Sequence, residues 1–368
     1  MDEARVVAVA TRFHTGKPLG ASLLKGGHIH DTWLVRVSAP QGSRSFVQQR
    51  LNRAVFPRPD RVMENIARVT THVRGRLLAA GHAPERHALA VVPALDGRPF
   101  CVDDQGETWR SYHFIEGARS FGVVQGPRHA YETGRAFGRF LALLGDLPAP
   151  PLHETIHAFA DTRARFGAFA RALDADRAGR AVRVGREIEL AREREALAGM
   201  LSDAVRRGDV PLRTAHHDTK IDNVLIDDET GEGLCVLDLD TVMPGTALYD
   251  FGDMVRYGAC RAAEDDLDLS RARIDLELFE HLARGWLDAT RELLVPDEVE
   301  RLVEAGRCLT LVAGLRFLTD FLDGDAYFRT TRPDQNLDRC RVQLALVRDM
   351  ESRAEAMHEI VRRHARRA

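Results

Sequence analysis

The chain has 368 residues, of which 44% are hydrophobic and 29% charged, a composition typical of soluble globular proteins with sizeable cores. Its 52 Lys and Arg residues stand against 55 Asp and Glu residues, which leaves a net charge of -3. No strong positive field therefore exists to hold a phosphate polymer, and the composition argues against nucleic acid as a partner.

Targeting signals and disulfides are also disfavoured. Residues 1–14 carry acid where a signal peptide needs a basic region. The most apolar long stretch, 308–322, is interrupted by Arg316 and Asp320, short of the roughly 20 residues of a membrane span. The five cysteines are odd in number and far apart, which is typical of reduced thiols. We expect a cytoplasmic protein that does not enter a membrane, with its oligomeric state open, a monomer included.

The first third of the chain alternates short β patterns. A helical pattern with Val62, Ile66, Val69 and Val73 on one face lies between the third and fourth of them. We predict a small, mostly antiparallel sheet with this helix packed against it. The predicted strands are 21–24, 32–37, 45–51, 89–95, 99–102 and 109–115.

Helical patterns dominate from about residue 128. The change from strands to helices near Gly117 and Gly122 is the natural domain boundary, which predicts an N-terminal lobe over 1–116 and a C-terminal lobe over 117–368. The fold class is α+β, with a small sheet lobe and a larger helical lobe. The predicted helices are 131–144, 153–172, 186–207, 272–294, 297–322 and 336–364.

The segment 214–240 carries the strongest chemical signal. It contains the pattern H-x-D-x-K-x-x-N, in which each polar residue has a use in phosphoryl transfer. Asp218 can accept a hydroxyl proton, Lys220 can lie against the moving phosphoryl group, and Asn223 can bind Mg²⁺. An Asp/Asn-rich turn is the structural alternative.

A β-hairpin is predicted directly after this pattern, and it indicates which aspartate is the second metal ligand. Strands at 223–226 and 234–237 return Asp238 beside Asn223, as a metal site requires. Asp250 belongs to an Asp-Phe-Gly triplet that spells the kinase magnesium motif, but no second strand leads into it. We therefore assign the metal to Asp238 and predict that Asp250 caps a helix beginning near Phe251. Asp240 either supports Asp238 or is simply solvated.

With these motifs the sequence resembles the small-molecule kinases of the aminoglycoside phosphotransferase and choline kinase type, and among them most resembles the N-acetylhexosamine 1-kinases. The resemblance implies the two-lobed protein-kinase fold, the use of ATP and Mg²⁺, and a sugar acceptor that receives the γ-phosphate on its anomeric hydroxyl. The matching blocks are GGHIHDTW (26–33), QQRLN (48–52), VMENI (62–66), HHDTKIDN (216–223), LDLDTVMPG (237–245), YDFGD (249–253), RFLTDFLDGDAYF (316–328) and NLDR (336–339).

Two residues depart from the family pattern. His30 stands where the family usually has Asn, and Ala160 stands where it usually has His, between Phe159 and Asp161. Both departures bear on which substrate is bound rather than on the kinase chemistry.

The nucleotide site is predicted from several blocks, since no Walker-type phosphate loop is present. Gly26 and Gly27 either form a turn over the phosphates or a plain hairpin turn. Arg50 on the third strand matches the phosphate-binding cation of choline kinase-like proteins. The resemblance pairs it with Glu64, although Glu64 lies opposite the apolar helix face, where a solvated role is the alternative. Adenine is expected at the crossing between lobes, on backbone groups of Tyr112, His113, Phe114 and Ile115.

The acceptor pocket is predicted around the helix 297–322. Arg316 and Asp320 project from an otherwise apolar stripe, which indicates either an internal ion pair or a ligand-binding arginine. The resemblance implies that Arg316, Tyr327 and His28 contact the sugar.

Two other functions remain open at this point. A kinase of an aminoglycoside or another small amino alcohol would keep the fold and change the acceptor, but a cationic acceptor calls for an acidic pocket. An inactive nucleotide- or sugar-binding module is disfavoured because Asp218, Lys220, Asn223 and Asp238 are all present.

Overall fold

The N-terminal part of the chain forms a five-stranded antiparallel sheet in the order β1-β2-β3-β5-β4. The computed structural model describes residues 2–24, 29–39 and 42–366. The predicted small antiparallel sheet is confirmed. Its strands are β1 (Lys17–Leu23), β2 (Asp31–Ala39), β3 (Gly42–Arg50), β4 (Cys101–Val102) and β5 (Thr108–His113).

The strand predicted over 89–95 is wrong. This segment forms only isolated bridges, from Val91 to Tyr112 and from Ala94 to Phe13. Pro93 interrupts it and has no N–H group to donate to a neighbouring strand. Apolar composition alone therefore gave the wrong element here.

Two helices flank the sheet, α1 (Glu3–Ala10) and α2 (Pro59–Ala79). The predicted helix is confirmed as α2, which buries Val62, Ile66 and Val69. The short α1 was not predicted, because eight residues give too little periodicity to read. It begins at the cap Asp2 and packs Val6 and Val9 into the core on one sheet face.

The C-terminal part is mainly helical, as predicted, but its longer helices are broken. The patterns at 186–207, 297–322 and 336–364 each form two consecutive helices, and the pattern at 153–172 becomes helical only at Thr162. The helices are α3 (Pro127–Leu143), α4 (Thr162–Ala175), α5 (Gly185–Arg192), α6 (Glu195–Arg207), α7 (Ala247–Gly258), α8 (Leu276–Thr290), α9 (Pro296–Glu300), α10 (Leu302–Asp323), α11 (Gln335–Ser352) and α12 (Ala354–Arg366).

Five short strands lie among these helices. The predicted hairpin after Asn223 is confirmed, with Val224 opposite Val236 in an antiparallel pair. A second pair joins the segment before the H-x-D-x-K-x-x-N pattern to the segment after the hairpin. The strands are β6 (Ala118–Arg119), β7 (Arg213–Ala215), β8 (Val224–Asp227), β9 (Gly233–Val236) and β10 (Met243–Gly245).

Helix α3 supports the hairpin and is itself held against α8 by close backbone contact. A Cβ atom at Gly134 would collide with the carbonyl oxygen of Leu282, and one at Gly285 would collide with that of Tyr131. The backbone N–H of Gly233 in β9 donates to a carboxylate oxygen of Glu132 on α3 at 2.9 Å. The α3–α8 pair therefore forms a rigid base under the strand that leads to Asp238.

The largest apolar core cluster contains side chains from both sides of residue 116, such as Ile66 on α2 and Val236 on β9. The division into lobes at that residue stays a prediction. None of the helices in the described part of the chain is long and apolar enough to cross a membrane.

Candidate active site

The segment 216–223 connects β7 to β8 and carries the predicted catalytic residues. His216 is fully buried and connects this segment to the hairpin. Its Nδ1 accepts from the backbone N–H of Asp218 at 3.2 Å, so its Nε2 carries the proton and donates to the carbonyl of Leu237 at 2.8 Å. Burial lowers the pKa of this ring and keeps it neutral. The His216 imidazole thus links the backbone of Asp218 to that of Leu237, the residue immediately before Asp238.

The sequence-based role of Asp250 is wrong. Helix α7 begins at Ala247 and is capped by Thr246, so Asp250 lies inside the helix. Its two carboxylate oxygens accept from the backbone N–H groups of His216 and His217, both at 2.8 Å. Asp250 therefore fixes the backbone immediately before Asp218. Burial raises its pKa to about 7, against the effect of these two hydrogen bonds.

His217 shows how tightly this segment is held. Its φ angle is +67°, in the left-handed region that few side chains adopt. The ring Nδ1 donates to the carbonyl of Thr241 at 3.0 Å, and a Cβ atom at Gly245 would collide with Nε2. Burial lowers the pKa of His217 to about 4. The ring is therefore a neutral packing element between two loops.

Asp218, Lys220 and Asn223 converge, as the sequence predicts. The ammonium of Lys220 lies 2.9 Å from a carboxylate oxygen of Asp218, and the amide nitrogen of Asn223 lies 3.3 Å from the same oxygen. Burial works against the charge on Lys220, but the Asp218 carboxylate outweighs it and raises the pKa of the ammonium. The Asn223 amide nitrogen also donates to the Asp218 carbonyl at 2.8 Å, which leaves the amide oxygen to face a cation.

Asp238 lies close to this cluster. It follows β9 with a φ of +55° and is exposed to solvent at its surface. The protein packed around it, and then repulsion from Asp240 and Asp218, raise the pKa of Asp238 well above its ordinary value. A nearby divalent cation would relieve that repulsion. The donors fit Mg²⁺, which takes one or two protein carboxylates and completes its shell with phosphate and water oxygens.

The ambiguous Asp240 is buried and paired, not solvated. Arg110 on β5 donates to both of its carboxylate oxygens, at 2.5 and 2.7 Å, and His30 Nε2 lies 3.3 Å from one of them. Burial alone would raise the pKa of Asp240, but Arg110 and then His30 hold it well below its ordinary value. The sequence analysis did not identify Arg110, although a lone charge in the buried strand pattern 108–113 signals a buried partner.

The side chain of Arg50 does not point in the direction expected of a nucleotide-binding cation. It is directly opposite Asp31 on β2 and Trp109 on β5, so it shares the sheet face that packs on α1. Its guanidinium contacts Asp31 at 2.6 Å and Glu107 at 3.3 Å, beside a cavity of about 390 Å³. The neighbouring Gln49 faces the other way and accepts from Arg110 at 2.8 Å. A role for Arg50 in nucleotide binding stays a prediction.

Glu64 does not pair with Arg50 in the structure. It is exposed on α2, and its carboxylate lies 2.9 Å from Nε2 of His153. The adjacent Asn65 is the buried polar residue of this helix, and it bonds the backbone of His153 and the carbonyl of Val242. The geometry favours the alternative from the helical wheel, in which Glu64 lies away from the apolar face of the helix.

The predicted adenine-binding segment leaves the end of β5. Tyr112 and Ile115 are buried, and His113 is exposed with its ring 5.1 Å from that of Phe46. The N–H groups of His113 and Phe114 donate to backbone carbonyls. The N–H of Ile115 has no hydrogen bond to the described part of the chain, which leaves it for a ligand. The predicted Gly26, Gly27 and His28 lie outside the described residues.

Arg316 and Asp320 do not form the ion pair considered from the sequence. Asp320 accepts from the backbone N–H groups of Tyr327 and Phe328, at 2.7 and 2.9 Å, and from the amide of Asn336 at 2.8 Å. Arg316 instead lies over aromatic rings, 5.3 Å from Phe328 and 6.0 Å from Tyr327. Tyr327 is 64% exposed. Asp320 therefore positions the two aromatic residues that flank Arg316.

A second arginine, missed in the sequence, joins this surface. Arg165 on α4 and Arg316 on α10 each have their guanidinium carbon 5.6 Å from the ring of Phe159. We call Phe159, Arg165, Arg316, Tyr327 and Phe328 the acceptor wall. The family departure at Ala160 is next to this wall, whereas the departure at His30 lies beside Asp240.

An antiparallel-sheet N-terminal part followed by a larger helical part is the architecture of phosphotransferases that act on small molecules. The pattern that defines the phosphotransferase enzyme family matches residues 20–289. The chain therefore belongs to this family.

Solved structures share its fold at low sequence identity. A spectinomycin phosphotransferase in complex with ADP and spectinomycin is 11% identical with a TM-score of 0.59, over 94% of this chain and 98% of that chain. A microcompartment-associated aminopropanol kinase is 15% identical with a TM-score of 0.57, over 96% and 98%. A choline/ethanolamine kinase family protein from Mesorhizobium loti is 16% identical with a TM-score of 0.52, over 95% and 92%. These likenesses show the fold.

Proposed function

We propose that this protein is an ATP- and Mg²⁺-dependent kinase that phosphorylates the anomeric hydroxyl of an N-acetylhexosamine and releases the sugar 1-phosphate. The observation that carries the proposal is the convergence of Lys220 and Asn223 on the Asp218 carboxylate, with Asp238 beside them and the acceptor wall behind the same loop. The resemblance of 316–328 to the N-acetylhexosamine 1-kinases supports the choice of sugar.

In the proposed reaction Asp218 acts as the base. Its carboxylate accepts the proton of the acceptor hydroxyl as the hydroxyl oxygen attacks the γ-phosphorus and the bond to ADP breaks. Lys220 remains charged at neutral pH and offsets the negative charge of the transferring group. His216 and Asp250 hold the Asp218 backbone in place, so the base is fixed before substrate binds.

Asn223 and Asp238 would hold Mg²⁺. When bound, the ion neutralises phosphate charge and orients the nucleotide. Asp238→Ala should raise the dissociation constant for Mg²⁺-nucleotide by roughly a hundredfold or more, since even the loss of a partner that only orients a metal ligand costs about ten- to a hundredfold. Calorimetric titration with and without Mg²⁺ measures this, and affinity equal to the unmodified protein would remove Asp238 from the metal site.

The sugar assignment is tested by ATP consumption across a panel of acceptors. The panel contains N-acetylglucosamine, N-acetylgalactosamine, spectinomycin, ethanolamine and choline, with Asp218→Asn as the inactive control. We expect turnover with an N-acetylhexosamine and a product whose phosphate is attached to the anomeric carbon, as phosphorus NMR can establish. Turnover with only spectinomycin or an amino alcohol would overturn the sugar assignment, and the cationic acceptor wall argues against that result.

A further inference from the structure

Two arginines of the acceptor wall share one aromatic ring and lack carboxylate partners. Arg165 and Arg316 each lie 5.6 Å from the ring of Phe159, and within the described ranges neither forms an ion pair with a carboxylate within 4.0 Å. Within the described part of the chain, the guanidinium of Arg165 has a single hydrogen bond, to the carbonyl of Phe159 at 3.3 Å. Both side chains are half-buried. Two like charges are thus held together without a counter-ion.

The acidic groups nearby are engaged elsewhere. Asp161 caps α4 by accepting from the N–H of Ala164 at 3.0 Å, and it accepts from the hydroxyl of Ser202 at 2.8 Å. Asp320 is taken by the backbone N–H groups of the wall. Burial, and then repulsion from Arg316, lower the pKa of Arg165. Half-buried charge without an ion-pair partner is unfavourable, so an anion bound here would stabilise the pair.

The pair lies next to the catalytic loop. The ring of Phe159 is 6.2 Å from the ring of His217 and 6.2 Å from that of Tyr249. His217 directly precedes Asp218, so the ring that the two arginines share packs against the residue next to the proposed base.

We propose that Arg165 and Arg316 form an oxyanion subsite of the acceptor pocket. The acceptor then carries a carboxylate or phosphate group in addition to the hydroxyl that is phosphorylated. This inference rests on the proposed function and narrows it to acidic members of the hexosamine class. Planar guanidinium groups suit both oxyanions because each can donate two parallel hydrogen bonds.

Equilibrium binding to the full-length Asp218→Asn protein tests the subsite without turnover. Two matched pairs of probes are titrated: N-acetylglucosamine against its 6-phosphate, and glucose against glucuronic acid. We expect at least one anionic probe to bind roughly tenfold tighter than its neutral partner, the effect of a charge-assisted hydrogen bond. The phosphate and carboxylate pairs distinguish the two oxyanions.

Arg165→Gln and Arg316→Gln, each added to Asp218→Asn, should abolish that preference. Arg171→Gln on the same helix is the matched control, since Arg171 is exposed and away from Phe159, and it should preserve the preference. Equal affinity within both pairs, or a preference that survives Arg165→Gln, would overturn the subsite. Inorganic phosphate that binds as tightly as the 6-phosphate sugar would also overturn it, because the site would then take a free ion.

Turnover by the unmodified protein separates the two proposals. Arginine-dependent binding of an anionic probe without phosphorylation of any sugar would sink the proposed function and leave the subsite standing. Phosphorylation of N-acetylglucosamine without any anion preference would sink the subsite alone.

Discussion

The catalytic loop and the acceptor wall lie side by side, yet their polar groups are satisfied in different ways. In the loop, the backbone around Asp218 is held by His216, by Asp250 and by Asp253, which accepts from the N–H of Thr219 at 3.0 Å. In the wall, Arg165 and Arg316 have aromatic neighbours but no acidic partner within the described chain. The polar groups of the loop are paired with one another, whereas the two arginines of the wall lack an acidic partner there, as the proposed oxyanion subsite requires.

The largest effect on activity is expected at Asp218, the proposed base in the catalytic loop. Asp218→Asn should lower kcat roughly a hundred- to ten-thousandfold, because the amide cannot accept the hydroxyl proton. Nucleotide affinity should be retained, since the carboxylate makes little contact with bound nucleotide. Steady-state kinetics and nucleotide titration on one preparation check both statements. A kcat near that of the unmodified protein would exclude Asp218 as the base.

The second effect is a loss of stability and is expected at Asp250, which holds the loop backbone. Asp250→Ala leaves the N–H groups of His216 and His217 buried without acceptors, and we expect a loss of about 2 to 6 kcal/mol in unfolding free energy. Asp250→Asn keeps one acceptor oxygen and should lose less. Denaturant unfolding measures the difference. An unchanged unfolding free energy in the alanine variant would mean that the loop does not depend on this anchor.

A pH dependence of stability is expected from His217. Its pKa is about 4 in the folded protein, below its ordinary value near 6.5, because burial disfavours the charged ring. The unfolded chain therefore binds more protons between pH 6.5 and 4, and stability is present above pH 6.5 and lost as the pH falls through this window. The loss should reach about 2 kcal/mol at pH 5 relative to pH 8.

His217→Asn isolates this contribution. Asparagine tolerates the positive φ of +67° and can donate to Thr241, but it does not titrate. Unfolding curves at pH 8 and pH 5 should show a smaller acid-induced loss in the variant. Asp250, whose raised pKa acts with the opposite sign over this window, is present in both proteins and cancels in the comparison. Identical pH profiles would show that His217 is not the acid-sensitive group.

The smallest stability effect is expected in the wall. Arg316→Leu should change the unfolding free energy by less than about 1 kcal/mol, because it breaks no ion pair and leucine suits the aromatic neighbours. Asp320→Ala, by contrast, removes three hydrogen bonds that a buried carboxylate accepts and should cost about 2 to 4 kcal/mol. A large loss of unfolding free energy in Arg316→Leu would mean that the polar groups of the wall are paired within the protein as fully as those of the loop.

The same contrast explains what the sequence could predict. The loop residues and the hairpin that returns Asp238 follow from local spacing, and the structure brings Asp218, Lys220, Asn223 and Asp238 together. The positions of Arg110 and Arg165 depend on pairings between elements distant in sequence, which no local period encodes. The role of Asp250 was misassigned for the same reason, since the N–H groups that it accepts from lie more than 30 residues earlier in the chain.

The buried pair of Arg110 and Asp240 has a consequence for motion. It joins β5 to the turn after β9, and Asn65 on α2 ties the carbonyl of Val242 in the same turn. Pulling these elements apart would strand two buried charges, which costs about 3 to 5 kcal/mol. The pair therefore restricts relative motion between β5 and this turn, and β5 carries with it the strands that are hydrogen-bonded to it in the sheet.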